Sequence, residues 1–167
     1  SPRIFNDDKF LLQSEFRQEN KNSNHITDLS QFVSNDKSSK GHLFYNYKKN
    51  FNNKNFDDIE LDIKLEQVTD DTYLKAYKVE SPIINSASNL INSINLNLYN
   101  ESQKIETNLD IYEDLTKDNN DRYEYVPNFT FSKIINENYS FESSGYYKNY
   151  NTNITEKVLI NDFEFNS

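Results

Sequence analysis

Apolar and charged residues alternate strictly from Ile59 to Glu66. Ile59, Leu61, Ile63 and Leu65 stand on one parity, and Glu60, Asp62, Lys64 and Glu66 on the other. Successive side chains of an extended chain point to opposite faces, so this stretch predicts a strand with one apolar and one charged face. The same period recurs along the chain. Phe10, Leu12 and Phe16 share a parity in FLLQSEFRQE, and Leu43, Tyr45 and Tyr47 share one in GHLFYNYKKNF. Ile94, Leu96 and Leu98 follow, then Ile105, Leu109 and Ile111, then Tyr123, Tyr125, Phe129 and Phe131 with Pro127. HITDLSQFVS alternates more weakly, and SPRIF, YSFESSGYYKNY and EKVLINDFEF complete a set of about ten candidate strands. Many approach the roughly 9–11 residues that cross a bilayer in a tilted barrel.

Polar clusters such as NDDK, NKNSN, NNKNFDD and TKDNND separate these segments. With only 2 Gly and 3 Pro in the chain, the turns fall to Asn and Asp, whose side chains bond their own backbone. Short turns favour antiparallel neighbours, because parallel pairs need long crossovers. No Gly/Ser-rich or Pro-rich linker and no solenoid repeat interrupts residues 1–167, which read as a single unit. One stretch breaks the rule. After Val68 the alternation stops, and Tyr73, Leu74, Ala76 and Tyr77 fall at the spacing of a helical turn. Asp70 or Asp71 is placed to cap that turn, with Tyr73 and Tyr77 packed on one side of it.

Composition sharpens the picture. The chain is 35% hydrophobic, with a net charge of -9 and a mean hydropathy of -0.93. Such values lean toward disorder, but 12 Tyr and 12 Phe argue against it. An acidic chain without a basic patch repels nucleic-acid phosphates, so no nucleic-acid partner is expected. No apolar run approaches the ~20 residues of a membrane helix. Cysteine is absent, which removes disulfide scaffolds and thiolate metal sites. The opening SPRIFNDDKF carries neither an initiating Met nor a signal peptide, so the chain is expected to be a piece of a longer protein.

Candidate chemistry is sparse. His25 and His42 have no nucleophile pattern beside them and read as ordinary strand residues. The pairs Asp7-Asp8, Asp57-Asp58 and Asp70-Asp71 lie at turns, and adjacent strand residues face opposite ways, so they read as solvated turns. The run Asp118–Asp121 lacks the spacing and Gly of a calcium loop. No catalytic residue, metal or cofactor is expected, and the chain does not read as an enzyme.

Two environments suit the apolar faces. In a soluble β-sandwich, such as an adhesin or glycan-binding module, they meet each other as a core. In an outer-membrane barrel they face lipid while the charged residues line the lumen. Period two serves both. Three features lean toward the barrel: heavily charged polar positions, too few apolar residues for a thick core, and Tyr near segment ends. The tyrosines in question are Tyr45, Tyr47, Tyr123, Tyr125, Tyr146, Tyr147 and Tyr150. A barrel could equally serve as a passive porin or receptor.

VTDDTYLKAY (Val68–Tyr77), directly after an alternating strand, resembles a stretch of the LPS-assembly outer-membrane protein family LptD, also called organic solvent tolerance protein. Thr69, Asp70, Tyr73, Leu74 and Tyr77 hold the places of the family's Ser/Thr-Asp pair and following aromatics. FLLQSEFRQ before it and DRYEYVPNFTFS after it look similar in the same order. The resemblance implies an all-β fold: an antiparallel meander of about ten strands, a partial segment of a large transmembrane β-barrel. Residues 1–167 would represent its early part, without the periplasmic jelly-roll domain and the later strands. It further implies a Gram-negative outer-membrane location and transport of lipopolysaccharide (LPS) to the outer leaflet. The implied partners are LPS, outer-membrane lipid, a lipoprotein plug and periplasmic LPS-bridge proteins. In that frame Glu60, Asp62, Lys64 and Glu66 face the lumen. Thr69, Asp70, Tyr73, Leu74 and Tyr77 form a loop motif at the barrel rim. Pro2 matches a proline of an early strand at the lateral gate, where a residue that donates no ladder bond eases opening.

Overall fold

The computed structural model describes the backbone of residues 2–5, 9–33, 39–117, 122–150 and 153–165. Side chains are described for residues 10–33, 39–117, 122–146 and 148. Asp7, Asp8 and the run 118–121 lie outside the described residues.

Strands β1 (Pro2–Phe5), β2 (Lys9–Asn20), β3 (Ser23–Val33), β4 (Ser39–Phe51) and β5 (Asp58–Val68) precede the only helical turn described, α1 (Tyr73–Ala76). Strands β6 (Asn89–Tyr99), β7 (Gln103–Asp114), β8 (Tyr123–Asn136), β9 (Tyr139–Tyr150) and β10 (Asn153–Phe165) follow. All ten strands form one antiparallel sheet in chain order, β1 to β10. It is an open meander, as a segment of a larger barrel requires, and the expected fold class holds. The turns also follow the sequence reading. Asn100 Oδ1 accepts the backbone N–H groups of Ser102 and Gln103 at 2.9 and 2.7 Å. Asn136 Oδ1 accepts those of Asn138 and Tyr139 at 2.9 and 3.1 Å. These Asx turns let hairpins close without glycine.

Strand register sorts the side chains into two faces. Tyr47, Ile63, Ile94, Leu109 and Pro127 stand opposite one another across β4 to β8. On the reverse face Lys48, Asp62, Asn95, Asn108 and Asn128 form the matching row. The apolar face is uncovered: Leu43 is 48% exposed, Leu65 42%, Ile94 49% and Phe129 42%. A sandwich would bury these residues under a second sheet, and the sheet described here has none. Within the described residues that exposure does not match a soluble sandwich. The tyrosines are less orderly than expected. Tyr123 and Tyr139 begin β8 and β9, but Tyr45 and Tyr47 lie mid-strand, opposite Leu65 and Ile63.

Two local features shape the sheet. A Cβ at Gly41 would collide with the carbonyl oxygen of Ser30, so β3 and β4 approach there as only glycine allows. In β8, Tyr125 pairs with Asn149 and Asn128 with Tyr146, while Val126 and Pro127 between them have no register partner in β9 among the described residues. Pro127 donates no backbone hydrogen bond, so the ladder lapses beside it.

Candidate functional site

The structure departs most from a plain wall at residues 69–88. β5 pairs with β6 only from Asp58 to Lys64, opposite Tyr99 and Ser93. Beyond that point side chains replace the ladder. The backbone N–H of Glu66 donates to Asn92 Oδ1 at 2.8 Å, and that of Ile91 donates to Glu66 Oε2 at 2.7 Å. The strands part there, and the segment between them packs against the polar face.

Its first residues dock on β4. The Thr69 hydroxyl accepts the Gly41 N–H at 2.7 Å, and the Thr69 N–H donates to the Gly41 carbonyl at 3.0 Å, extending the β4–β5 ladder by one step. Asp70 Oδ1 accepts from the backbone N–H of Thr72 at 3.0 Å and from its hydroxyl at 2.6 Å. Its other oxygen meets Lys40 Nζ at 2.8 Å. The Lys40 ammonium first, and the Thr72 donors after it, pull the Asp70 carboxyl down to about 2. Asp71 takes no part in the turn. Its two oxygens receive Arg122 Nη1 and Nη2 at 2.9 and 2.6 Å, a bidentate pair that ties the segment to the start of β8.

α1 is a single turn whose end is well defined. Lys78 adopts a left-handed φ of 47°. The Lys78 N–H reaches the Lys75 carbonyl at 3.3 Å, and the Val79 N–H reaches the Leu74 carbonyl at 3.0 Å. This is the Schellman pattern, and its usual apolar pair is Leu74 with Val79, both in the local core. That core joins Tyr73, Leu74, Val79 and Ile83 of the segment to Leu11, Phe32 and Phe44 of the sheet, with Leu90 and Leu115. Leu11, Phe32 and Phe44 belong by register to the polar face. Tyr77 packs at the margin, 5.1 Å from the Tyr73 ring and 4.3 Å from Phe32 between centroids. Tyr73 and Leu74 are thus buried, while Thr69 remains exposed and Asp70 half-buried.

Beneath the core lies a polar network. Tyr73 Oη and His42 Nδ1 each lie 2.6 Å from Ser30 Oγ. His42 Nε2 is 3.3 Å from Asp28 Oδ1, and Gln13 Nε2 spans both Asp28 oxygens at 3.2 Å while also donating to the Glu80 carbonyl at 2.9 Å. The His42 ring stacks on Phe44 with centroids 4.2 Å apart. Serine, histidine and aspartate in contact suggest a nucleophile with its base and orienter. The arrangement here cannot serve that way: all three are buried, and the serine hydroxyl is engaged by Tyr73. Its role is to seat the tyrosine.

Glu60, Asp62, Lys64 and Glu66 share one face of β5, opposite Asn50, Lys48, Asn46 and Phe44. Glu60, Asp62 and Lys64 are half-buried, whereas the Glu66 side chain is only 1% exposed and paired with Lys64 Nζ at 2.7 Å. Pro2 stands in edge strand β1, opposite Leu12; its side chain lies outside the described residues. Among the described residues no three acidic or histidine side chains are grouped to hold a metal ion.

Reading His42 as an ordinary strand residue missed the network. The signal was present: Phe32 and Phe44 are apolar on the parity that should be polar, with Asp28, Ser30 and His42 on that same parity. This is also why HITDLSQFVS alternates weakly.

A family model described as LPS transport system D matches residues 38–159, well over half the chain. No curated protein and no solved structure matches.

Proposed function

Because the chain belongs to the LptD family, whose members act in LPS transport and assembly at the outer membrane rather than as enzymes, we propose that residues 1–167 form one segment of the barrel wall that passes LPS to the outer leaflet. The observation that supports this most is the uncovered apolar face, with Leu43, Leu65, Ile94 and Phe129 exposed. In water such a surface invites association, whereas against hydrocarbon it is the expected outer face of a barrel. Glu60, Asp62 and Lys64 then look into the aqueous lumen, where the sugar portion of LPS moves. Glu66 stabilises the point where β5 and β6 part.

In this reading further strands close the barrel, and a periplasmic jelly-roll domain, a lipoprotein plug and LPS-bridge proteins complete the export route. Pro2, in β1, donates no ladder hydrogen bond, which suits the lateral-gate position that the family resemblance implies for it. The segment carrying Thr69, Asp70, Tyr73, Leu74 and Tyr77 closes over one end of the polar face and braces β2 to β5 against it.

Residues 1–167 carry no cysteine, so single cysteines placed there report each face once any cysteine elsewhere in the intact protein has been replaced. Ile94→Cys and Asn95→Cys are adjacent and face opposite ways. In the intact protein in its membrane, a hydrophilic maleimide should label Asn95→Cys and spare Ile94→Cys. A quencher carried on lipid tails should reach only a fluorophore at position 94. Equal labelling of both from water would remove the barrel-wall reading.

A further inference from the structure

On the polar face beyond β5, Asn95, Asn108 and Asn128 stand in register across β6, β7 and β8. Their amides are linked: Asn128 Nδ2 donates to Asn108 Oδ1 at 3.2 Å, and Asn108 Nδ2 donates on to Asn95 Oδ1. In the next row Asn97 Nδ2 donates to Glu60 Oε2 at 3.3 Å. At the β4–β6 end of these rows lies a cavity of about 380 Å³, lined by Lys48, Asn50, Glu60, Asp62, Asn95 and Asn97, with Leu61 as its one apolar residue. That volume is within the roughly 300–1,000 Å³ typical of small-molecule sites.

Charge restricts what the cavity accepts. Around it the cations are already paired: Lys48 with Asp62 at 2.9 Å, Lys64 with Glu66 at 2.7 Å and Lys104 with Glu106 at 3.0 Å. Glu60 and Asp110 add negative charge with no ion-pair partner among the described residues. A phosphate entering here would meet carboxylates, and each nearby cation already has its charge offset by a carboxylate beside it. A sugar hydroxyl both donates and accepts. A primary amide offers a donor and an acceptor side by side, and a carboxylate accepts from neighbouring hydroxyls. The lining therefore matches a neutral, hydroxyl-rich ligand.

We infer that this cavity is a binding site for the neutral sugar units of the transported glycolipid, and that its phosphate-bearing part is not held there. The inference rests on the exporter reading and gives it a location and a selectivity. The linked asparagines continue the surface from the cavity toward β8, so a sugar chain can exchange one amide contact for the next.

The test uses the intact protein in its own outer membrane, with the photo-crosslinking residue benzoylphenylalanine replacing exposed Asn50 or, separately, Ser132 on the same face of β8. The probes are LPS bearing a neutral polysaccharide and LPS truncated after its phosphorylated inner sugars. Crosslinking from position 50 should be about fivefold stronger with the full-length form, and Asn97→Ala should reduce it by a similar factor. Equal crosslinking of both forms, indifference to Asn97→Ala, or crosslinks from position 132 but not 50 would overturn the sugar site while leaving the exporter reading intact. No crosslink from either position, with LPS still reaching the surface, would remove both.

Discussion

At one end of the β2–β5 side the polar face is dry, and on the β6–β9 side it is wet. The first side carries Leu11, Phe32 and Phe44 inward and is covered by Tyr73, Leu74, Val79 and Ile83. The second carries Asn95, Asn108, Asn128 and Thr130, bonded to one another or half-exposed. Both sides present the same kind of apolar surface on the reverse face. The difference shows that the apolar face of this sheet follows one rule, while the polar face is set locally by what the adjoining connections can reach. The β5–β6 connection is long and apolar enough to fold back. The turn between β8 and β9 is not.

The sharpest way to break this contrast is to remove packing from the covered side. Phe44 is fully buried against His42 and its neighbours, so Phe44→Ala should cost about 3–5 kcal/mol. Asn128→Ala, exposed on the same face of the other side, should change stability by about 0.5 kcal/mol or less. Urea unfolding of protein refolded into lipid vesicles measures both. Equal effects would mean that the covered side contributes no core of its own.

The apolar face was legible in the sequence because one environment acts on every strand alike, and period two records it directly. Ile59–Leu65 lies within β5, which runs on to Val68, and Asn100 and Asn136 make the turns their type suggests. The covered inner face was only half legible. VTDDTYLKAY announced a helical turn, although neither aspartate caps it: Thr72 is the N-cap without a side-chain cap bond, and Asp70 bonds Thr72 instead. Nothing local says that the turn folds onto a distant strand. That depends on Phe32 and Phe44, some 30–40 residues upstream, whose parity makes sense only once the sheet is registered. The Arg122–Asp71 pair, 51 residues apart, is equally a product of topology.

A smaller perturbation separates polar seating from apolar packing within the covered side. Tyr73→Phe keeps the ring and removes the hydroxyl that meets Ser30 at 2.6 Å. Ser30 retains His42 as a partner, so the expected cost is about 0.5–1.5 kcal/mol, the net value of one neutral hydrogen bond. Limited proteolysis within residues 69–88 should rise in step. A cost matching that of Phe44→Ala would make the Asp28–His42–Ser30 network, rather than the apolar cluster, the main restraint on the segment.

The smallest effect has the opposite sign and isolates the backbone. Lys78 is the one non-glycine residue with positive φ among those described, at 47°. A left-handed conformation costs an L-residue roughly 1–2 kcal/mol. Glycine removes that strain but loses about 0.5–1 kcal/mol through the greater freedom of its unfolded chain. Lys78→Gly should therefore stabilise the protein by roughly 0.5–1 kcal/mol, seen as a higher urea midpoint with an unchanged slope. Asn138→Gly, in the β8–β9 turn where φ is not positive, relieves no strain and should bring no gain. The pair distinguishes a connection held in a demanding conformation by the core it closes from one that its own side chains already satisfy. A gain at Asn138 equal to that at Lys78 would show that the Leu74–Val79 closure stores no strain.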